Sequence, residues 1–216
     1  MGFQSCSGLT SIEIPSSVTS IGSHAFEGCS GLTNIEIPSS VMEIGAYAFG
    51  GCTGLTSIVV EEGNKVYDSR ENCNAIIKTE TNELLLGCQS TVIPSSVTKI
   101  GGWAFEGCTG LTSIMIPSSV TKIDFRAFDG CTGLTSITIP SSVTKIGEHA
   151  FLGCTELTEV ILQTGIKKIA EDAFLICEKL TCISVPAKKV DYYKKRLPKG
   201  FHHYIVEREP EKKAKK

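Results

Sequence analysis

The chain has 216 residues, a formal net charge of −2, 41% apolar and 20% charged residues, which is the composition of a folded protein and not of a disordered or strongly basic nucleic-acid-binding one. No apolar run approaches the ~20 residues that a membrane-spanning helix needs, and the N-terminus lacks the basic-then-apolar layout of an export signal. Charge is uneven: residues 1–186 carry 10 Lys/Arg against 19 Asp/Glu, a body of −9, and residues 187–216 carry 11 against 4, a segment of +7.

From the N-terminus, Phe3-Gln4-Ser5-Cys6 reads as the closing part of a unit whose first half is missing, so the chain is expected to be a piece of a longer array. Phe followed three residues later by Cys recurs at Phe3/Cys6, Phe26/Cys29, Phe49/Cys52, Phe105/Cys108, Phe128/Cys131, Phe151/Cys154 and Phe174/Cys177, in steps of 23 within each run. A period of this length signals stacked supersecondary units. In the first full unit, Ser11 to Ile14 alternates apolar and polar residues as a half-buried strand does. Pro15-Ser16-Ser17 bends the chain, Val18 and Ile21 turn inward again, and the stretch to Phe26 suits one turn of helix or 3₁₀. Gly28 and its equivalents Gly51, Gly87, Gly107, Gly130 and Gly153 fall where a left-handed backbone is expected.

Residues 61–88 form one irregular unit. Leu85-Leu86-Gly87-Cys88 supplies the missing ladder position with Leu85 in the Phe column, and Ala75–Lys78 with Leu84–Leu86 predicts a hairpin projecting from the stack. After the last unit, Val190, Tyr193 and Leu197 at helical spacing, with Phe201, Tyr204, Ile205 and Val206, predict a cap over 187–206. Residues 207–216 read as a disordered charged tail, which leaves 1–186 as the repeat domain.

The pattern Cys-x-Gly-Leu-Thr-x-Ile-x-Ile-Pro-Ser-Ser-Val-x-x-Ile-Gly-x-x-Ala-Phe resembles the BspA-like leucine-rich repeat family over residues 3 to about 186. The resemblance implies an α/β leucine-rich repeat solenoid, a right-handed superhelix of 23-residue coils with short parallel strands and little true helix. It also implies a surface protein of anaerobic bacteria or parasitic protists that binds proteins of a host or neighbouring cell.

Eight cysteines, Cys6, Cys29, Cys52, Cys88, Cys108, Cys131, Cys154 and Cys177, fall in one column. Stacked equivalents would hold their Cβ atoms ~4.8 Å apart, beyond the usual ~3.5 to 4.5 Å of a disulfide, so buried free thiols are expected. One row of ligands cannot surround a zinc ion either. Cys73 and Cys182 lie off the column, where pairing or reactivity is the lesser reading. No nucleophile, base and acid can be singled out and no phosphate-binding glycine motif is present, so neither an enzyme nor a cofactor is expected. The oxygen-rich run Asp68, Ser69, Glu71, Asn72 and Asn74 points weakly to calcium, against turn capping as the plainer account.

Variable columns carry the candidate binding surface. The residues before Ala-Phe read His24, Tyr47, Trp103, Arg126, His149 and Asp172, which places the only Trp beside Tyr, Arg and His, types enriched at interface hot spots; edge residues covering the turn below are the alternative. Lys99, Lys122, Lys145 and Lys168 make a basic stripe able to attract an acidic protein or glycan, against a solvated row that guards a short strand. Outward strand positions Val59, Met115 and Ile161 are candidates because leucine-rich repeat proteins often dock partners on the sheet. A Thr column, Thr10, Thr33, Thr56, Thr112, Thr135, Thr158 and Thr181, is expected to be buried, with its hydroxyls bonding to backbone in the adjoining coil. The reading is a monomeric, non-enzymatic scaffold that binds a protein or glycan on another cell or matrix, without nucleic acid or membrane insertion. Its expected place is the cell surface or outside the cell; a spacer or a cytoplasmic scaffold is the alternative.

Overall fold

The computed structural model describes residues 2–209. The chain winds into a solenoid of about eight turns of about 23 residues, with parallel strands and little helix. Its strands are β1 (Ser20–Ile21), β2 (Asn34–Ile37), β3 (Glu43–Ile44), β4 (Ser57–Val60), β5 (Tyr67–Asp68), β6 (Ala75–Lys78), β7 (Glu83–Gly87), β8 (Lys99–Ile100), β9 (Lys122–Ile123), β10 (Ser136–Ile139), β11 (Lys145–Ile146), β12 (Glu159–Leu162), β13 (Lys168–Ile169), β14 (Cys182–Val185) and β15 (Ile205–Glu207). The four-residue strands pair in parallel as β2-β4 and as β10-β12-β14, the latter extended by the three-residue β15. The two-residue strands pair as β1-β3 and within the sheet β13-β11-β9-β8-β7-β6-β5.

Two columns hold the coils in register. The Phe N–H of one coil donates to the Ala carbonyl of the next, Phe26 to Ala48 at 2.8 Å, Phe128 to Ala150 at 2.7 Å and Phe151 to Ala173 at 2.8 Å. Their rings stack nearly parallel at centroid distances of 5.2 Å for Phe26 and Phe49, 5.0 Å for Phe105 and Phe128 and 5.1 Å for Phe128 and Phe151. Beside them each thiol donates back to the Phe carbonyl of the preceding coil: Cys52 to Phe26 at 3.1 Å, Cys131 to Phe105 at 3.0 Å and Cys154 to Phe128 at 3.2 Å. The small sulfur thus fills the core and satisfies a carbonyl at once. Burial pushes the Cys52 thiol up to about 12. Cys6, in the first turn, is exposed, unlike Cys29, Cys131 and Cys154.

The segment before each Phe forms turns and no helix or 3₁₀. His24, Tyr47, Trp103, Arg126 and His149 all take left-handed φ between 52° and 61°, and one such residue stops a right-handed helix. The glycine column is left-handed at Gly28 (φ 72°), Gly51, Gly107, Gly130 and Gly153 (φ 67°), but Gly87 is not, because it ends strand β7, and the last coil puts Ile176 in the column at φ 59°. A β-branched residue in that region carries about 1–2 kcal/mol of strain.

The irregular unit is built into the stack and does not project from it. β6 and β7 pair antiparallel, and β7 then pairs in parallel with β8, Glu83 opposite Lys99 and Leu84 opposite Ile100. Ile76, Ile77 and Leu84 are fully buried, with Ile76 facing the N-terminal core and Ile77 and Leu84 the C-terminal one. Two short apolar strands cannot leave three such side chains in water, so they become a wall between two half-cores.

Gly87, and not Leu85, occupies the Phe column: its N–H donates to the Ala104 carbonyl at 2.7 Å, and its carbonyl faces the Cys108 thiol at 3.7 Å. The Phe105 ring takes the space, since a Cβ on Gly87 would lie 2.2 Å from it. Cys88 consequently leaves the thiol register and turns to the Asn74 carbonyl at 3.6 Å. Oxygens of the preceding run are used as turn caps. Asp68 binds the Arg70 guanidinium, and the Ser69 hydroxyl accepts from Val60 N–H at 2.7 Å while donating to the Ala75 carbonyl at 3.0 Å.

At the C-terminal end, α1 (Val190–Lys194) and a 3₁₀ segment, Lys199–Tyr204, cover the last coil. Tyr193 is fully buried, and its hydroxyl donates to the Gln163 carbonyl. β15 pairs with β14 through Glu207, and Arg208 N–H donates to the Val185 carbonyl at 2.8 Å. The cap therefore takes in residues read as tail from the sequence, and the remaining tail residues, 210–216, lie outside the described ones. Gly87→Ala is expected to lower the melting temperature by several degrees, the effect of about 1–3 kcal/mol of overpacking. An unchanged melting temperature in differential scanning calorimetry would mean that Gly87 does not hold the aromatic column.

Candidate functional site: the turn edge and its neighbours

The left-handed turn residue throws its side chain sideways along the edge of the solenoid, toward its equivalent in the next coil. The rings form a continuous ladder: His24 to Tyr47 at 5.3 Å, Tyr47 to Trp103 at 5.5 Å edge-on, Trp103 to Phe125 at 5.1 Å edge-on and Phe125 to His149 at 6.0 Å. Arg126 lies over the Phe125 ring at 5.4 Å. With Asp172 against His149, the structure brings together all six residues of the row.

Phe125 was missed from the sequence. It sits one place before the variable column, where other coils carry Ser23, Ala46, Gly102 and Glu148, so no periodic signal marks it.

Carboxylates anchor the row. Glu27 lies 3.0 Å from His24 Nδ1, Asp129 2.7 Å from Arg126, Asp172 3.2 Å from His149 Nε2, and the Tyr47 hydroxyl donates to Glu106 at 2.6 Å. Burial, added to the neighbouring charges of Asp129 and Glu27, pushes the Glu106 carboxyl above its ordinary value even though Tyr47 bonds to it. Burial also raises the Tyr47 hydroxyl, helped by Glu106. Trp103 and Tyr47 remain partly exposed, so the ladder presents aromatic edges to solvent.

The lysine stripe is in register, Lys99, Lys122, Lys145 and Lys168 lying opposite one another along β8, β9, β11 and β13. It is not uniformly basic. Lys99 pairs with Glu83 at 2.7 Å and Asp124 at 3.0 Å, and Lys122 pairs with the same Asp124 at 2.9 Å. Half of the stripe is thus neutralised, by Glu83 at the head of the same column and by Asp124 beside it, and Lys145 and Lys168 remain exposed. Partial burial works against ionised Asp124, yet the bonds from Lys122 and Lys99 outweigh it and hold the carboxyl down at about 2.

On the sheet face, Met115 is 85% exposed and Val59 43%, whereas Ile161 is half-buried between Thr138 and Ser184 of the flanking strands. Val92, 73% exposed, belongs to the same column as Met115, since each precedes an Ile-Pro pair; the irregular unit hid it by displacing the period. The Thr column is exposed, which corrects the expected burial. Its hydroxyls do reach the adjoining coil, Thr56 to the Thr33 carbonyl at 3.1 Å and Thr158 to Thr135 at 3.0 Å. Cys73 is buried and its thiol is pushed up to about 11; Cys182 is half-buried beside Glu159, and burial together with that charge raises it as well. Both shifts work against thiolate reactivity. Among the described residues, no group of three or more His, Cys, Asp or Glu could hold a metal ion, and no helix is long and apolar enough to cross a membrane.

A family model described as a BspA type leucine rich repeat region, in 6 copies, matches residues 1–85 and 76–196. The chain belongs to the BspA-type leucine-rich repeat family. Proteins of this family are generally non-catalytic repeat proteins. No curated protein matches the sequence. Among solved structures, a leucine rich cell surface protein from Faecalibacterium prausnitzii is similar at 25% identity and a TM-score of 0.60, over 88% of this chain and 63% of that one. This BspA-type chain therefore spans less than two thirds of that protein's length. A leucine-rich repeat protein from Eubacterium ventriosum (20% identity, TM-score 0.59, 99% of this chain and 82% of that one) shares the fold. So does the pneumococcal vaccine antigen PcpA (17%, 0.55, 93% and 68%).

Asp124 supplies the site's clearest pH dependence. A carboxyl depressed in the folded state stabilises above its unfolded pKa of about 3.9 and loses that contribution as pH falls through the folded value. Asp124→Asn should therefore lower the melting temperature at pH 7 and lower it much less near pH 2, where the native carboxyl is only partly ionised. An equal deficit at both pH values would show that the two lysine pairs contribute nothing.

Proposed function

We propose that this chain is a non-enzymatic docking scaffold belonging to a bacterial cell-surface protein, and that its partner, a protein or glycan on another cell or matrix, lies along the turn edge. The observation that carries this reading is the ladder from His24 through Tyr47, Trp103 and Phe125 to His149, with Arg126 on its flank. Aromatic and Arg side chains concentrated on a rigid edge are the kind of surface in which a few residues supply most of the binding energy. Because the edge is ordered by its own contacts, docking costs little side-chain freedom, and modest contacts add up. The surface location is supported by the F. prausnitzii protein, which is described as a cell surface protein.

A spacer with no ligand of its own is the competing reading. What favours it is that Glu27, Asp129 and Asp172 already pair with the polar members of the row. A binding screen of the chain against extracellular-matrix and cell-surface proteins separates the two, and the spacer reading predicts that nothing is retained. For a partner found in this way, Trp103→Ala combined with Arg126→Ala should weaken affinity by roughly tenfold or more, with a melting temperature within a few degrees of the parent. Met115→Ser, on the sheet face, should leave affinity unchanged. The opposite pattern would move the docking surface from the turn edge to the sheet.

A further inference from the structure

The last coil departs from the repeat at two neighbouring positions. The place after the column Phe holds Gln4, Glu27, Gly50, Glu106 and Asp129, and then turns apolar with Leu152 and Leu175. The glycine that closes the turn is replaced by Ile176, held at φ 59°. Leu175 is 48% exposed and Ile176 54%, so burial compensates neither of them. A strained β-branched side chain presented to solvent costs the fold without adding to its core, and strain of this kind collects at binding sites.

Leu175 stands on the wall of an open groove of about 780 Å³ between the last coil and the cap, lined also by Lys167, Lys168, Lys195 and Arg196. A smaller hollow beside it shares Lys168 and adds Lys145. The groove exists because the cap covers the core end of the last coil with Tyr193, Leu197 and Phe201 and leaves the edge bearing Lys168 and Leu175 open. Arg196 is fixed in place. Its guanidinium lies on the Tyr192 ring at 3.5 Å and donates to the Tyr192 carbonyl at 2.9 Å, while the Tyr192 hydroxyl donates to the Ile166 carbonyl at 2.6 Å. None of these five cations has an ion-pair partner among the described residues. Of the carboxylates lining the two hollows, Asp124 is held by Lys99 and Lys122 and Asp172 by His149, which leaves Glu148 and Glu171. The surplus of free cations on an open edge attracts an acidic ligand.

We infer that this groove takes an acidic segment of a partner protein, whose carboxylates meet Lys145, Lys168, Lys195 and Arg196 and whose one apolar side chain rests on Leu175 and Ile176. The apolar pair selects a protein over an anionic glycan, because a uronate or sulfate chain offers charge to the lysines and no aliphatic group to Leu175. Lys145 and Lys168 lie opposite each other in register, ~4.8 Å apart along the stack, a spacing that carboxylates of neighbouring peptide residues can follow. Charge sets the encounter and the choice of partner, and the apolar contact adds the burial that charge alone does not supply. The inference rests on the docking-edge reading and deepens it by naming the partner's chemistry, and it can be tested without that partner.

The test is a fluorescence-anisotropy titration of the peptide fluorescein-EELEE-amide with the intact chain at low ionic strength. Saturable binding is expected, with a dissociation constant on the order of 100 µM. Lys168→Glu combined with Lys195→Glu should weaken it by about tenfold or more, and a probe with glycine in place of the leucine should bind roughly fivefold more weakly. Ile176→Gly should also weaken binding of the leucine probe while raising the melting temperature, since glycine carries no left-handed strain. Binding that persists unchanged in the double lysine variant would overturn the groove. Equal binding of the glycine probe, or displacement of the leucine probe by an equal concentration of oligogalacturonate, would reveal a surface that reads charge alone and overturn the acidic-protein assignment. If the groove fails while Trp103→Ala/Arg126→Ala still loses a verified partner, the row stands without it. Probe binding as expected in a chain whose verified partner ignores that double substitution supports the groove and removes the row.

Discussion

The structure depends on the step between coils: a Phe N–H to an Ala carbonyl, a phenyl ring on its copy about 5 Å away, and a thiol returned to the preceding carbonyl. No coil of about 23 residues can bury its own Leu, Ile, Val and Phe positions, so each is stable only through its neighbours. The step also dictates where variation is tolerated. Side chains aimed along the stack must repeat, and those thrown sideways by the left-handed turn residue are free to differ, which is why the edge carries His, Tyr, Trp and Arg in one line.

The irregular unit shows the consequence of breaking the step once. Its strands bury Ile76 in the N-terminal half-core and Ile77 and Leu84 in the C-terminal one, and so form the wall against which both halves pack. In exchange the aromatic column receives Gly87, the sheet of four-residue strands is interrupted between β4 and β10, and Val92 and Met115 are left exposed beside the interruption. The row spans the same gap with side chains, through the Tyr47 to Trp103 contact and the Tyr47 hydroxyl on Glu106. Core and edge both show the results of one local departure from period.

What could be read from the sequence follows the same division. Columns repeating every 23 residues, such as Phe26 and Phe49 or Cys29 and Cys52, carry their own register, and the stacking follows from them. Leu85 was misplaced because counting along a chain assumes that an insertion adds whole residues to a coil, whereas β7 enters the stack antiparallel to β6 and reaches the column two residues later. A bond from each Thr hydroxyl to the adjoining coil is legible in the repeat, but burial does not follow from it, since the hydroxyl bonds to the neighbouring coil from the outside. The lysine stripe looked uniformly basic because the irregular unit hides Glu83, which stands at the head of the same column, and because Asp124 belongs to another column. Phe125 carried no signal at all, since its equivalents are Ser23, Ala46, Gly102, Glu148 and Glu171 and none of them is aromatic.

Amide hydrogen exchange on the intact chain probes the ladder and its break together, because exchange reports the opening free energy of each N–H individually. The account predicts that Trp103 and Gly107, which donate to the next coil, exchange orders of magnitude more slowly than Tyr47 and Gly51, which hold the equivalent positions at the break and make no such bond among the described residues. Equal protection at the two pairs would mean that the ladder continues unbroken through the irregular unit, and would contradict the account at its centre.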